Sequence, residues 1–419
     1  MSGLVKVFGI TASLFVAANS FADEGACFPM AGQGYLAGCG NAAGIKVGGL
    51  TVIPGLGLAL GSDDNVYLTN LRRQSSTLEV LSPAAKVIAH DRDNIYSLSY
   101  RADLGRYSSA SGDNYNDQTI SGDADIHISP RASLKVDPEL VWSHDPIGTT
   151  YGYVTPGVAL QTAANKWRNA GVKGVFSYGS ENAKGKVEVE GAYHSIQYLN
   201  NRVITVAYDK AVADAGATFF YRVRPKTSLL FQAKEEKISY ANPALSIVPN
   251  STQQYYMVGA KWEATAKTTG DLRVGRINKN YDASATPLPN FSGTGWTGNI
   301  GWNPETYSRV NLILSKQPEE TTLPGSNYIL TTSSTLGWDY DLSSRLTSHA
   351  SYNQYLENFG GIGLHTRANN YALGVSYKMR RWLTTGLSWT NTSKSVDQQI
   401  YNALIYNRNV FMLTLLGTL

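Results

Sequence analysis

Polar and apolar residues take turns along most of this chain. From Asn94 to Tyr107, the residues Tyr96, Leu98, Tyr100, Ala102 and Leu104 alternate with Ser97, Ser99, Arg101, Asp103 and Gly105. From Gln118 to Ile128, Ile120, Ala124, Ile126 and Ile128 alternate with Thr119, Ser121, Asp123, Asp125 and His127. A tight turn follows at Ser129-Pro130-Arg131. Then Ala132, Leu134, Val136, Leu140 and Trp142 alternate with Ser133, Lys135, Asp137, Glu139 and Val141. Successive side chains on a strand point to opposite faces, so each run predicts a strand with one apolar and one polar face. The runs reach about 11–14 residues, against about 5–6 for an ordinary strand. The polar face carries dense charge of both signs. Lipid outside and water inside account for that combination, which predicts a transmembrane antiparallel β-barrel.

The same alternation continues from Leu50 to Leu419 and predicts about eighteen strands, with sixteen as the alternative. Short and long connections alternate. His90–Asp93, Ser129-Pro130-Arg131, Arg224-Pro225-Lys226, Asn303-Pro304 and Asp341–Ser344 read as tight turns. Ser62–Ser76, Ser108–Asp117, Leu199–Lys210, Ala241–Thr252 and the Gly-rich Phe359–Ala368 read as long loops. The longest is His144–Asn169, in which Val158–Ala164 is open to being a further strand. Outer-membrane barrels show this asymmetry, with short periplasmic turns and long extracellular loops. Two aromatic girdles are expected at the two interfaces. Tyr107, Trp142, Tyr198, Tyr240 and Tyr281 lie near the loop ends, and Trp262, Trp302, Trp338, Tyr340, Tyr377 and Trp382 near the turn ends. The last strand alternates Phe411, Leu413 and Leu415 before Leu419. That resembles the C-terminal signal read by the outer-membrane assembly machinery, with Leu where such signals commonly end in Phe or Trp.

The N-terminus sets the compartment. A basic start (Lys6), an apolar run Val7–Ala18 and small residues at Ser20 and Ala22 mark residues 1–22 as a secretory signal peptide. Its removal takes away Lys6 alone and leaves 35 Lys and Arg against 32 Asp and Glu, a net +3. Near-neutrality without basic clusters argues against a nucleic-acid partner. No later stretch is long and apolar enough for a membrane helix. Residues 23–49 form a Gly-rich periplasmic segment holding both cysteines, Cys27 and Cys39, which are expected to pair in an exported protein. No linker-like break follows, so residues 50–419 are expected to be one outer-membrane barrel, in contact with lipid.

The inward face holds the candidate chemistry. Arg101, Asp103, Asp123, Asp125, Arg131, Lys135, Asp137 and Glu139 form the densest patch. Charged rings can select among solutes, or simply brace the wall by cross-strand pairing. Catalysis has no support. His127 near Asp125 and His144 beside Asp145 lack a nucleophile at a recognisable spacing, and no phosphate-loop or dinucleotide motif occurs. No cofactor is expected, and no acidic or histidine cluster accompanies the cysteines to hold a metal. The loops offer Asp63, Asp64, Asn65, His144, Asp145, Tyr151, Tyr153 and Trp167 as extracellular candidates.

Several of these residues carry a resemblance. The chain reads Val52-Ile53-Pro54, then Leu60-Gly61-Ser62-Asp63-Asp64-Asn65-Val66-Tyr67. Leu81-Ser82-Pro83, Gly105-Arg106-Tyr107 and Ser143-His144-Asp145-Pro146 with Gly148 follow. This resembles an outer-membrane β-barrel family found with exopolysaccharide and capsule export loci. The likeness covers most of the chain after about residue 50 and is densest up to residue 148. It implies a protein of the Gram-negative outer membrane that acts as a channel or accessory in polysaccharide secretion, with polysaccharide and export-complex proteins as partners. A general diffusion porin for small solutes is the alternative, and a non-conducting scaffold barrel the second.

Overall fold

The computed structural model describes residues 43–419, apart from residues 72, 150–161, 181–182, 247, 266 and 284–287. The signal segment, Cys27, Cys39, Tyr151, Tyr153 and the first part of the span Val158–Ala164 lie outside the described residues. Eighteen long strands form the wall. They are β2 (Leu50–Asp63), β3 (Ser76–Asp91), β4 (Asn94–Tyr107), β5 (Tyr115–Ser129), β6 (Ala132–Asp145) and β7 (Asn165–Tyr178). Next come β8 (Gly185–Tyr198), β9 (Lys210–Arg224), β10 (Thr227–Tyr240), β11 (Ser251–Thr265), β12 (Thr268–Tyr281) and β13 (Phe291–Glu305). The circle is completed by β14 (Ser308–Glu319), β15 (Ile329–Asp341), β16 (Leu346–Phe359), β17 (Leu364–Arg380), β18 (Leu383–Val396) and β19 (Tyr406–Thr418).

Each strand pairs antiparallel with the next, and β19 pairs with β2 from Val410↔Asp63 to Thr418↔Gly55. That last ladder removes both edges, so every strand has a partner on each side. A short strand, β1 (Ile45–Val47), folds back onto Leu50–Val52, so the end of the Gly-rich segment joins the sheet. Gly48 turns that corner at φ +60, a conformation that strains residues with a Cβ.

The burial pattern is inverted relative to a water-soluble sheet. Leu60, Leu98, Tyr256, Leu373 and Leu387 are all more than half exposed, while Asn353, Thr331 and Thr392 are buried. The apolar face therefore looks outward to lipid and the polar face inward. On β10, Leu229 and Phe231 face outward, whereas Leu230, Gln232, Lys234, Glu236, Ile238 and Tyr240 line the interior.

Strand length places the candidate loop residues differently from the sequence expectation. Fourteen residues span about 46 Å along a strand, which at a tilt of about 40° rises well above an apolar band about 25 Å tall. The strands therefore run on past the bilayer. Asp63 ends β2, His144 and Asp145 end β6, and Trp167 lies in β7, so these four belong to strand ends, not free loops. Only Asp64 and Asn65 lie beyond their strand. β7 likewise starts at Asn165, before the expected Ala170. The expected loop Phe359–Ala368 shrinks to residues 360–363, because Leu364 pairs with Phe359 and packs inside against Leu323 and Ile329. Gly361 and Gly363, at φ +93 and +65, make so short a turn possible.

Candidate functional site

The inner wall is a lattice of ion pairs built by cross-strand register. Arg101 reaches Asp103 through Nε and Nη2 at 2.8 and 2.5 Å, and the Ser82 hydroxyl donates to the other Asp103 oxygen at 2.6 Å. One turn-ward, Lys135 Nζ stands 3.0 Å from Asp123 and 3.9 Å from Asp137. Asp125 lies opposite Lys135, and His127 approaches it at 3.9 Å. Glu139 faces inward across from Ser121. Arg131 does not join them. It sits exposed in the turn after β5, where Pro130 ends the ladder, and its carbonyl accepts the Gly179 N–H. The lattice continues with Lys186–Glu188 at 2.8 Å, Lys173–Glu190 at 3.3 Å, Lys234–Asp214 at 3.1 Å and Arg273–Asp271 at 2.8 Å.

The two motifs with the most distinctive sequence knit the outer rim. Asp63 is fully buried and takes the Arg408 guanidinium from β19 at 2.9 and 2.5 Å. Asp64 accepts the backbone and side-chain N–H groups of Asn409 at 2.7 and 2.9 Å. The Asn65 amide donates to the carbonyls of Thr69 and Asn407. First and last strands are thus fastened by three consecutive residues. At the second motif, His144 stacks on Tyr115 with ring centroids 4.5 Å apart, and its Nδ1 is 2.9 Å from Asp117. Asp145 accepts from the Trp167 indole and the Tyr198 hydroxyl, both at 2.9 Å. Gly148 packs so closely on the Tyr67 carbonyl that a Cβ would fall 1.8 Å from it. These contacts bind the connection after β6 to the one after β2.

Loop-end aromatics were expected to form an outer girdle, and most do not. Tyr198 and Tyr240 are buried at 4% and 8% exposure, and Tyr107 and Tyr281 share their inward face. Of the five, Trp142 alone shares the outward face of Leu140. The signal was present in the sequence as parity: Tyr107 is in step with Arg101 and Asp103, and Tyr281 with Asp271 and Arg273. The turn-end girdle does face lipid, with Trp302, Trp338, Tyr377 and Trp382 all at least 42% exposed.

The inward tyrosines hold loops inside the outer mouth. Glu320, the first residue after β14, accepts from the Tyr240 hydroxyl and pairs with Lys279, which is itself fully buried and donates to Ser251 at 2.9 Å. Burial would raise the Glu320 carboxyl, but Lys279 and Lys210 outweigh it and hold it below the usual range. The Tyr281 hydroxyl donates to the Asn327 carbonyl at 2.5 Å. Val248 packs on Val212, Ile238 and Tyr240, while Leu323 packs on Ile329, Phe359 and Leu364. Segments 241–250 and 320–328 therefore fold into the barrel. None of these anchors was singled out from sequence except Tyr240 and Tyr281, because loop residues lack a period. Among the described residues, no group of three or more His, Cys, Asp or Glu could hold a metal ion.

Residues 39–417 match the model of a family described as "Putative beta-barrel porin 2". No curated protein sequence matches the chain. Among solved structures, it is similar to OccAB3 of Acinetobacter baumannii, with 11% identity over 89% of this chain and 100% of that one and a TM-score of 0.47. OccK2 (OpdF) of Pseudomonas aeruginosa, solved with glucuronate, gives 10% identity over 88% of this chain and 98% of that one, with a TM-score of 0.47. The FrpB iron transporter of Neisseria meningitidis (F3-3 variant) gives 11% identity and a TM-score of 0.45, and the alignment covers 82% of this chain and 62% of that one.

Proposed function

From the fact that the chain belongs to this β-barrel porin family of the Gram-negative outer membrane, we propose that it is a constricted diffusion channel for small polar solutes. The family is one of porins, not enzymes. Barrels of 16–18 strands are wide enough to enclose an aqueous channel. The observation that carries the reading is the pair of loops drawn into the outer mouth, with Glu320 seated between Tyr240 and Lys279. Such loops narrow a passage without closing its polar wall, as suits small solutes. A polymer would need clearance along the whole lumen, so this reading takes precedence over polysaccharide secretion.

The test is conductance of the purified full-length protein in planar bilayers. Stepwise ohmic ion currents are expected, and Glu320→Gln, which frees segment 320–328, is expected to raise the unit conductance. Liposome swelling should show fast entry of mono- and disaccharides and little entry of long glycans. A correctly folded barrel that never conducts would sink the reading, and free passage of long glycans would restore the polysaccharide role.

A further inference from the structure

Resting on the reading that this barrel conducts, we infer that an uncharged band on the inner wall of β15 to β18 is a binding site for neutral polyhydroxylated solutes, sugars or polyols. The wall is asymmetric. Strands β4 to β12 carry the ion-pair lattice, but Thr335, Asn353, Asn370 and Thr392 run side by side across β15, β16, β17 and β18 in direct register. Ser351 lies one inward position below Asn353 on β16, and Thr331 stands higher on β15.

Asn353 is completely buried, yet neither its Nδ2 nor its Oδ1 has a hydrogen-bond partner among the described residues. The hydroxyls of Ser351 and Thr331 are buried in the same state. Its neighbour Asn370, by contrast, donates to Thr392 Oγ1 at 2.9 Å. A buried amide with both ends unmatched is costly, and nearly all buried polar groups in folded proteins find partners. Here the unmatched groups face a passage, where a solute can supply what the wall does not.

The chemistry of the band selects the solute. An amide donates and accepts, as does a hydroxyl. The charges bordering the band are already neutralised within the wall. Toward the outer mouth, Lys394 pairs with Glu357 at 2.9 Å; toward the turns, His349 lies 2.5 Å from Asp339, and Arg309 pairs with Asp341 at 2.8 Å. An ionic solute would find no free countercharge there. A polyol finds donors and acceptors with no ion to desolvate. Tyr406 on β19, buried and opposite Lys394, adds an aromatic face with an unpartnered hydroxyl.

The experiment is interruption of ion current through the reconstituted full-length protein by maltose, with gluconate as the charged comparison. Maltose should interrupt the current in a concentration-dependent way and gluconate far less. Asn353→Leu should raise the half-blocking maltose concentration at least about tenfold, as loss of a paired hydrogen-bonding amide would. Ser351→Ala, a smaller change that keeps the backbone and volume close to native, should raise it less. Lys237→Ala, on the outer surface, should leave it unchanged. Heat-modifiable migration shows that each variant is a folded barrel. Ion current that maltose never interrupts, or interruption unaltered by both Asn353→Leu and Ser351→Ala, overturns the inference while leaving the porin reading intact. Absence of any ion current defeats the porin reading and this inference together.

Discussion

At the scale of single residues, the outer rim depends on carboxylates placed where water is scarce. Asp113, in the short 3-10 turn after β4, is 1% exposed; its Oδ1 accepts the Ile147 N–H at 2.8 Å, and its Oδ2 has no partner among the described residues. Burial pushes this carboxyl up to about 6, against the opposing pull of the Ile147 N–H, His144 and Arg408. A carboxyl whose folded value exceeds its unfolded one holds its proton more tightly when folded, so the folded rim binds more protons between the two values. Rim stability therefore falls as pH rises from about 4 to about 6, and stays low above that. The Ile147 amide should exchange roughly threefold to tenfold more slowly near pH 5 than near pH 7.5, after correction for intrinsic rates. Asp113→Asn should abolish the difference; a pH dependence that survives it would assign the effect to another group.

At the scale of elements, the seam is the weakest ladder and carries the strongest fastening. β19 and β2 pair over nine positions, where β2 and β3 pair over fourteen. The shortfall is met at the outer end by Asp63–Arg408, by Asp64 on Asn409 and by Asn65 on Asn407. Removing one partner of a buried pair leaves an uncompensated charge, so Asp63→Ala should cost about 3 kcal/mol of barrel stability. Asp64→Ala, losing exposed and half-buried hydrogen bonds, should cost about 1–2 kcal/mol. Urea unfolding in lipid would measure both, and Asp63→Ala combined with Arg408→Met should recover part of the loss. Equal stability of wild type and Asp63→Ala would show that the ladder alone closes the barrel.

At the scale of the whole molecule, lipid decides which charges are tolerated. On β10 the outward residues Leu229 and Phe231 give way to Glu235 and Lys237 nearer the outer mouth. Leu229→Arg should therefore destabilise the barrel by about 2–4 kcal/mol, while Lys237→Ala should change it by less than about 0.5 kcal/mol. Equal effects would misplace the bilayer on the wall. The class of fold, the eighteen strands and the alternation of short turns with long connections were all legible in the sequence, because a strand's period of two is a local property that lipid and water impose residue by residue. Parity along each strand also marked the inward charges of β4 to β6 and, unread, the inward tyrosines Tyr240 and Tyr281. Only the tertiary structure decided that Asp63 would meet Arg408, nearly the whole chain apart, that Glu320 would lodge between Tyr240 and Lys279, and that Asn353 would be buried without a partner. Those contacts join loops, or strands remote in sequence, and depend on register, closure and inward folding, none of which leaves a periodic trace in the chain.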